Sequence, residues 1–124
     1  MNEKVRTFKD LVLWQKAHQL VIFIYRITKE FPNEEKFDLI PQMRRAAVSI
    51  PSNIVEGHSR RSKKEFINFL SIANGSLNEL RYQILLSKDL NYIDIKLFEE
   101  LEQHAEEVSK ILYSFNLSLN KSIK

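Results

Sequence analysis

The chain has 124 residues, of which 44% are apolar and 28% are charged, and we expect one globular domain over residues 1–124. Two Gly and three Pro supply few turn residues, which disfavours a fold of many short strands, and the lack of Cys excludes disulfides and thiolate metal sites. The net charge of +3 is unevenly spread. Residues 1–64 carry 13 Lys and Arg against 7 Asp and Glu, and residues 65–124 carry 6 against 9, which predicts a basic face and an acidic face.

The first predicted helix covers about residues 8–30, and Thr7 and Asp10 have the spacing of a capping pair at its start. Its apolar stripe, spaced alternately three and four residues apart, comprises Trp14, Ala17, Val21, Ile24, Thr28 and Phe31. Further apolar residues lie outside this stripe: Val12, Leu13, Leu20, Ile22, Phe23 and Ile27. A helix that is apolar nearly all round favours burial on a second side, so we expect a subunit interface here. The alternative is one broad core-facing side with scattered exposed residues.

The second predicted helix covers about residues 41–57, with Pro41 in its first turn and Gly57 at its end. Its stripe comprises Ile40, Met43, Ala47, Ile50 and Ile54. Pro51 removes one backbone hydrogen bond inside this helix, which predicts a kink.

The third and fourth predicted helices cover about residues 63–89 and 95–119, and Ser62 with Glu65 forms a capping box before the third. The third stripe comprises Phe66, Leu70, Ala73, Leu77, Leu80 and Ile84. The fourth comprises Phe98, Leu101, Ala105, Val108, Leu112, Phe115 and Leu119. Four stripes with one average period of 3.5 residues predict an all-α fold, an antiparallel up-down four-helix bundle with left-handed packing.

No stretch is apolar for long enough to predict a membrane span or a secretory signal, so we expect a cytoplasmic protein without membrane partners. The longest strongly apolar run, Leu20 to Tyr25, is far shorter than the roughly 20 residues that a span needs.

A line of polar residues runs beside the apolar stripe of helix two, and a similar line on helix three could meet it. On helix two it comprises Arg45, Ser49, Ser52 and Glu56, and on helix three Ser76, Glu79 and Gln83, with Gln15 and Asn53 nearby. We interpret it as a structural hydrogen-bonded network that fixes helix register. An active site built on Glu56 or Glu79 is the alternative interpretation.

A cluster of basic residues precedes helix three. Arg60, Arg61, Lys63 and Lys64 crowd this junction, and Arg44 lies further back on helix two. Arg side chains and helix N-termini both suit phosphate oxygens, so these five residues are candidate nucleic-acid ligands. The alternative is a solvated charge run that pairs locally with Glu65 or Asp38.

Sequence motifs for catalysis, metals and cofactors are missing. The three His residues are not preceded by Glu at the spacing of di-iron bundles, and the pair Glu100 and His104 alone is more typical of solvated side chains. No phosphate-binding loop, dinucleotide-binding glycine pattern or nucleophile elbow occurs. We therefore expect a protein without enzymatic activity, without a metal and without a cofactor.

The segment 42–57, which reads QMRRAAVSIPSNIVEG, closely resembles a motif of the 23S rRNA-intervening-sequence protein family. Segments 10–17 (DLVLWQKA) and 73–80 (ANGSLNEL) extend the resemblance. Further matching residues are Phe31, Pro32, Arg60, Arg61, Ser62, Glu65, Phe66, Phe69 and Leu70. The resemblance covers about residues 8–93 and implies a small bacterial four-helix-bundle protein that forms homopentamers and has no known enzymatic activity. A related branch, the accessory variability determinant proteins of diversity-generating retroelements, binds nucleic acid and a reverse transcriptase through a basic surface.

Together these observations predict a homo-oligomeric, pentameric bundle protein that binds the backbone of RNA or DNA through the basic cluster. The alternative is an interaction scaffold that docks an acidic partner protein on the same surface.

Overall fold

Four helices account for most of the computed structural model, which describes residues 7–123. They are α1 (Val12–Thr28), α2 (Leu39–His58), α3 (Lys63–Asp89) and α4 (Ile95–Ile123). Each helix packs against the two that adjoin it around the bundle, and α4 closes the ring of contacts against α1. The all-α four-helix bundle is therefore confirmed. The left-handed packing, the kink at Pro51 and the single domain over 1–124 stay predictions, and residues 1–6 and 124 lie outside the described range.

The helix boundaries differ from the predicted ones mainly at α1 and α4. Thr7 and Asp10 do form a capping box, but it caps a separate 3-10 turn at Phe8–Asp10. Leu11 then adopts an extended conformation (φ −80°, ψ 124°), so α1 begins only at Val12. At the other end of the chain, α4 continues to Ile123 rather than ending near residue 119.

The connections set the direction of each helix. The segment between α1 and α2 contains a second 3-10 turn, Asn33–Glu35. The turn between α2 and α3 is only four residues long, and α3 ends where Asn91 takes a left-handed conformation (φ 64°). Connections this short bring consecutive helices back antiparallel.

The predicted apolar stripes form the core. Each stripe residue is buried or packs against the buried cluster; the partly buried ones are Trp14, Ile40, Phe66, Phe98, Phe115 and Leu119. The apolar stripes of all four helices therefore pack into one shared interior, where the hydrophobic effect favours their burial.

Half of the surplus apolar residues of helix one are buried inside the monomer, and Phe23 packs against the core; the subunit interface stays a prediction. Leu13, Leu20 and Ile27 are buried, because α2 and α4 flank α1 and cover a wide arc of its surface. Only Val12 (56%) and Ile22 (38%) of that set stay exposed.

Candidate nucleic-acid interface

Four basic side chains meet where α2 turns back into α3, and we call Arg60, Arg61, Lys63 and Lys64 the basic turn. The backbone N–H of Arg60 donates to the carbonyl of Gly57 at 3.1 Å, which continues the winding of α2 by one more turn. The hydroxyl of Ser62 then accepts from the N–H of Glu65 at 3.0 Å and starts α3. All four basic side chains are exposed.

A close approach of the two helices holds the basic turn. Gly57 is buried against α3, and a Cβ at this position would lie 2.7 Å from Cδ1 of Phe66 and 2.8 Å from Cβ of Phe69. Phe66 in turn packs edge-on against Phe115 of α4, with ring centroids 5.5 Å apart. The turn is therefore anchored to the core by an aromatic cluster below it.

Three of the four cations have no acidic partner in the described structure. Arg60 is paired: its Nη2 lies 2.6 Å from Oε2 of Glu56, and its guanidinium stacks over the ring of Phe69 at 4.9 Å. Arg61, Lys63 and Lys64 form no ion pair with any residue of the range 7–122. Their positive charge is screened only by solvent, so it is available to an anionic ligand.

Other elements add positive charge at the same end of the bundle. The contact between Phe66 and Phe115 sets the register of α3 against α4, and Lys121 lies at the end of α4 beyond it. We call residues 7–16, 56–66 and 112–123 the basic end; they contain seven Lys and Arg against three Asp and Glu. Residues 26–41 and 86–100 form the opposite end, which we call the acidic end; they contain five Lys and Arg against eight Asp and Glu.

Arg44 does not lie at the basic turn, so the structure does not bring the five predicted ligands together. It lies roughly 20 Å along α2 from the turn, at a rise of about 1.5 Å per residue. Its Nε donates to Oγ1 of Thr28 at 2.9 Å, and its Nη2 donates to the carbonyl of Tyr25 at 3.3 Å. The spacing of positions on α2 alone could not show that this side chain turns toward α1.

The predicted polar network forms only in part. The hydroxyls of Ser49 and Ser76 share a hydrogen bond of 2.7 Å between α2 and α3. The amide of Asn53 donates to the carbonyl of Ser49 at 2.8 Å and to its hydroxyl at 3.0 Å. Ser49 and Ser76 therefore bridge the two helices, and Asn53 supports Ser49 from within α2.

The remaining members of that network lie apart from it. Gln15 donates to the carbonyl of Lys9 at 2.8 Å, and Glu56 pairs with Arg60. The side chains of Arg45, Ser52 and Glu79 are exposed and have no hydrogen-bond or ion-pair partner among the described residues. The predicted network of nine residues is therefore not fully formed: the exposed members can bond to water instead, and Gln83 is buried without a hydrogen-bond partner for its Oε1 among the described residues.

A cleft between α1 and α2 was not predicted. It has a volume of about 560 Å³ and is lined by Tyr25, Lys36, Ile40, Pro41, Arg44, Arg45, Val48 and Ser49. The antiparallel packing of α1 against α2 was enough to predict that Tyr25 lies near Arg44. The shape of the cleft could not be predicted, because it depends on the path of the connection between the two helices.

No group of three His, Asp or Glu side chains among the described residues is arranged to hold a metal ion. No helix of the described range combines the length and the apolar character that crossing a bilayer requires.

The fold and the basic turn define a small all-α protein, a four-helix bundle with one strongly basic end. The chain belongs to the 23S rRNA-intervening sequence protein family, which matches residues 9–114. A crystal structure of a protein with unknown function from the S23 ribosomal protein family of Bacteroides thetaiotaomicron is similar, with a TM-score of 0.78 and 31% sequence identity. The similarity covers 85% of this chain and 95% of that one. No curated protein matches the chain.

Proposed function

We propose that this protein binds the phosphate backbone of RNA or DNA, without catalysis, through the basic turn. The observation that carries the proposal is the exposure of Arg61, Lys63 and Lys64 side by side without acidic partners in the described residues. Phosphate contacts of this kind supply most of the sequence-independent affinity for nucleic acids.

The position of the cluster adds to its attraction for phosphate. Lys63 and Lys64 are the first residues of α3, where the positive end of the helix dipole and free backbone N–H groups favour anions. Arg61 can present two parallel N–H donors to one phosphate. Since none of these groups reads a base edge, the expected binding changes little with sequence.

We also propose that copies of this chain assemble into a homo-oligomer, of the pentameric kind that the resemblance implies. A ring would repeat the basic turn around its axis, and affinity grows steeply when several turns contact one nucleic acid. Val12 and Ile22 are apolar residues of α1 left exposed for such contacts. Light scattering should return a multiple of the 14.7 kDa chain mass, and the single-chain mass would contradict assembly.

The test of the binding site reverses two charges at the basic turn. Arg61→Glu with Lys64→Glu should weaken the binding of a fluorescent RNA hairpin by about tenfold or more, since each lost phosphate contact costs on the order of 1 kcal/mol. Both side chains are exposed and have no ion-pair partner among the described residues, so folding should be unaffected. Circular dichroism checks that expectation.

The matched control makes the same change of net charge at the acidic end, with Lys29→Glu and Lys96→Glu. These side chains are also exposed and form no ion pair within the described range. If both double variants lose affinity equally, net charge alone governs binding and the basic turn is not the site. A partner protein on the same surface is the other outcome: it would be captured from lysate after nuclease treatment and lost only with the basic-turn variant.

A further inference from the structure

The cleft between α1 and α2 combines an apolar wall with a positively charged rim. Tyr25 from α1 and Ile40, Pro41 and Val48 from α2 line it, and Tyr25 and Val48 each keep 38% of their surface exposed. Its volume of about 560 Å³ lies within the range of small-molecule sites, which are mostly apolar with a few placed polar groups. The volume and the apolar lining are therefore compatible with a small ligand.

The rim of the cleft carries three cations: Lys36, Arg44 and Arg45. None of the described residues that line it is an Asp or Glu, and none of the three forms an ion pair within the described range. Positive charge beside an apolar wall, without a carboxylate to neutralise it, favours a ligand that has both an anionic group and an apolar body.

Arg44 is already held in one geometry. Its Nε and Nη2 donate to Thr28 and to the carbonyl of Tyr25, and its guanidinium lies 4.5 Å from the centre of the Tyr25 ring. These acceptors are neutral, so they orient the guanidinium and leave its charge in place. An arginine fixed before binding loses less side-chain entropy when it takes up an anion.

We propose that this cleft binds a small amphipathic organic anion. Its carboxylate or phosphate would lie on Arg44 and Arg45, and its aliphatic or aromatic body on Ile40, Pro41 and Val48. The site is roughly 20 Å from the basic turn along α2, so it is independent of the proposed nucleic-acid binding.

Dodecanoate is the probe, titrated into the isotopically labelled full chain while backbone amide shifts are recorded. It should shift the amides of residues 36–49 and of the last two turns of α1. Dodecyltrimethylammonium, with the same tail and the opposite charge, and acetate, with the charge alone, should bind at least about tenfold more weakly. Equal binding of the cationic detergent would show a merely apolar surface and overturn the proposal.

Three variants distinguish a specific binding site from non-specific binding. Arg44→Gln and Arg45→Gln should each weaken dodecanoate by about threefold to tenfold, and Val48→Glu by more, because it places a carboxylate on the apolar wall. Arg61→Gln, in the basic turn, should leave it unchanged. Arg45 and Val48 are exposed, so substituting them should not disturb the fold. Their variants therefore test the site even if the loss of Arg44 disturbs packing. The proposal fails if dodecanoate causes no amide shifts up to about 1 mM, or if the cleft variants bind it as well as the parent protein does. It also fails if Val48→Glu dissociates an oligomer, because a second copy of the chain would then occupy the cleft.

Discussion

At the acidic end of the bundle, Glu35 and Asp38 accept hydrogen bonds that tie neighbouring segments together. The hydroxyl of Tyr92 donates to Glu35 at 2.6 Å across two connections, Gln42 donates to Asp38 at 2.7 Å, and Glu35 also accepts from the N–H of Leu39 at 3.2 Å. At the basic end, Arg61, Lys63 and Lys64 have no such partners among the described residues. The basic turn is instead held from below, by the packing of Gly57 against α3.

The difference separates groups that stabilise the fold from groups left for a ligand. A hydrogen bond between two side chains of the protein contributes to folding, and its loss appears as a change in the free energy of unfolding. An exposed cation without a partner contributes little to folding, and its loss appears in binding. Substitutions of the hydrogen-bonded side chains at the acidic end should therefore change stability, and substitutions of the cations at the basic turn should change affinity.

The largest expected effect is the dependence of nucleic-acid binding on salt. If Arg61, Lys63 and Lys64 each neutralise one phosphate of duplex DNA, affinity should fall about fortyfold between about 50 mM and about 200 mM salt. In the variant with Arg61→Glu and Lys64→Glu, the same change in salt should lower affinity only about threefold to fourfold, because two contacts are gone. Fluorescence anisotropy measures both slopes. An unchanged slope in the variant would mean that the contacts lie elsewhere.

The next effect concerns the packing that holds the basic turn. Gly57→Ala places a Cβ within 3 Å of Phe66 and Phe69, and these side chains cannot yield without displacing the aromatic cluster. We expect the free energy of unfolding to fall by about 1–3 kcal/mol, the usual cost of overpacking. Urea denaturation at fixed protein concentration measures it.

Gly75→Ala is the matched control for that substitution and should have the opposite sign. Gly75 lies inside α3 with no atom within 4 Å of the position that a Cβ would occupy. Alanine there should stabilise the protein by about 0.5–1 kcal/mol, because glycine loses more backbone entropy in a helix. If both variants shift stability in the same direction, helix propensity rather than packing explains Gly57.

The fold could be predicted from sequence because each helix carries its own periodic signal. The stripe of α3 from Leu70 to Ile84 needs no knowledge of its neighbours, and every stripe residue in it is buried. Boundaries were harder, since the capping signal of Thr7 and Asp10 is the same whether it starts α1 or a separate 3-10 turn. Local chemistry marks where a turn of helix begins and not how far it extends.

The candidate site was predictable only where its residues are neighbours in sequence. Arg60, Arg61, Lys63 and Lys64 adjoin one another in a turn, so their proximity follows from the chain itself. Arg44 could point to either side of α2, and its contact with Thr28 depends on the packing of α1. That Arg45 and Glu79 stay exposed without partners among the described residues likewise could not be derived from spacing, because two polar lines on neighbouring helices meet only if their side chains lie inside the contact.

The smallest predicted effect depends on pH and tests the acidic end. The hydrogen bond to Glu35, together with partial burial, raises the pKa of Tyr92 from 10.0 to about 12. A pKa that is higher in the folded protein means that the contribution to stability is fully present below pH 10 and is lost as the pH rises toward 12. Tyr92→Phe removes the bond, so it should lower stability at neutral pH.

The pH dependence distinguishes this bond from a general loss of packing at Tyr92. The difference in unfolding free energy between the parent and Tyr92→Phe should stay constant up to about pH 10 and shrink above it, since Phe has no proton to lose. Tyr113→Phe is the control, because Tyr113 is 71% exposed and its hydroxyl has no partner among the described residues. If Tyr92→Phe costs no stability at neutral pH, the ring, which Phe keeps, rather than the hydroxyl ties the two connections together. The contrast between a partnered acidic end and an open basic end would then have to rest on packing alone.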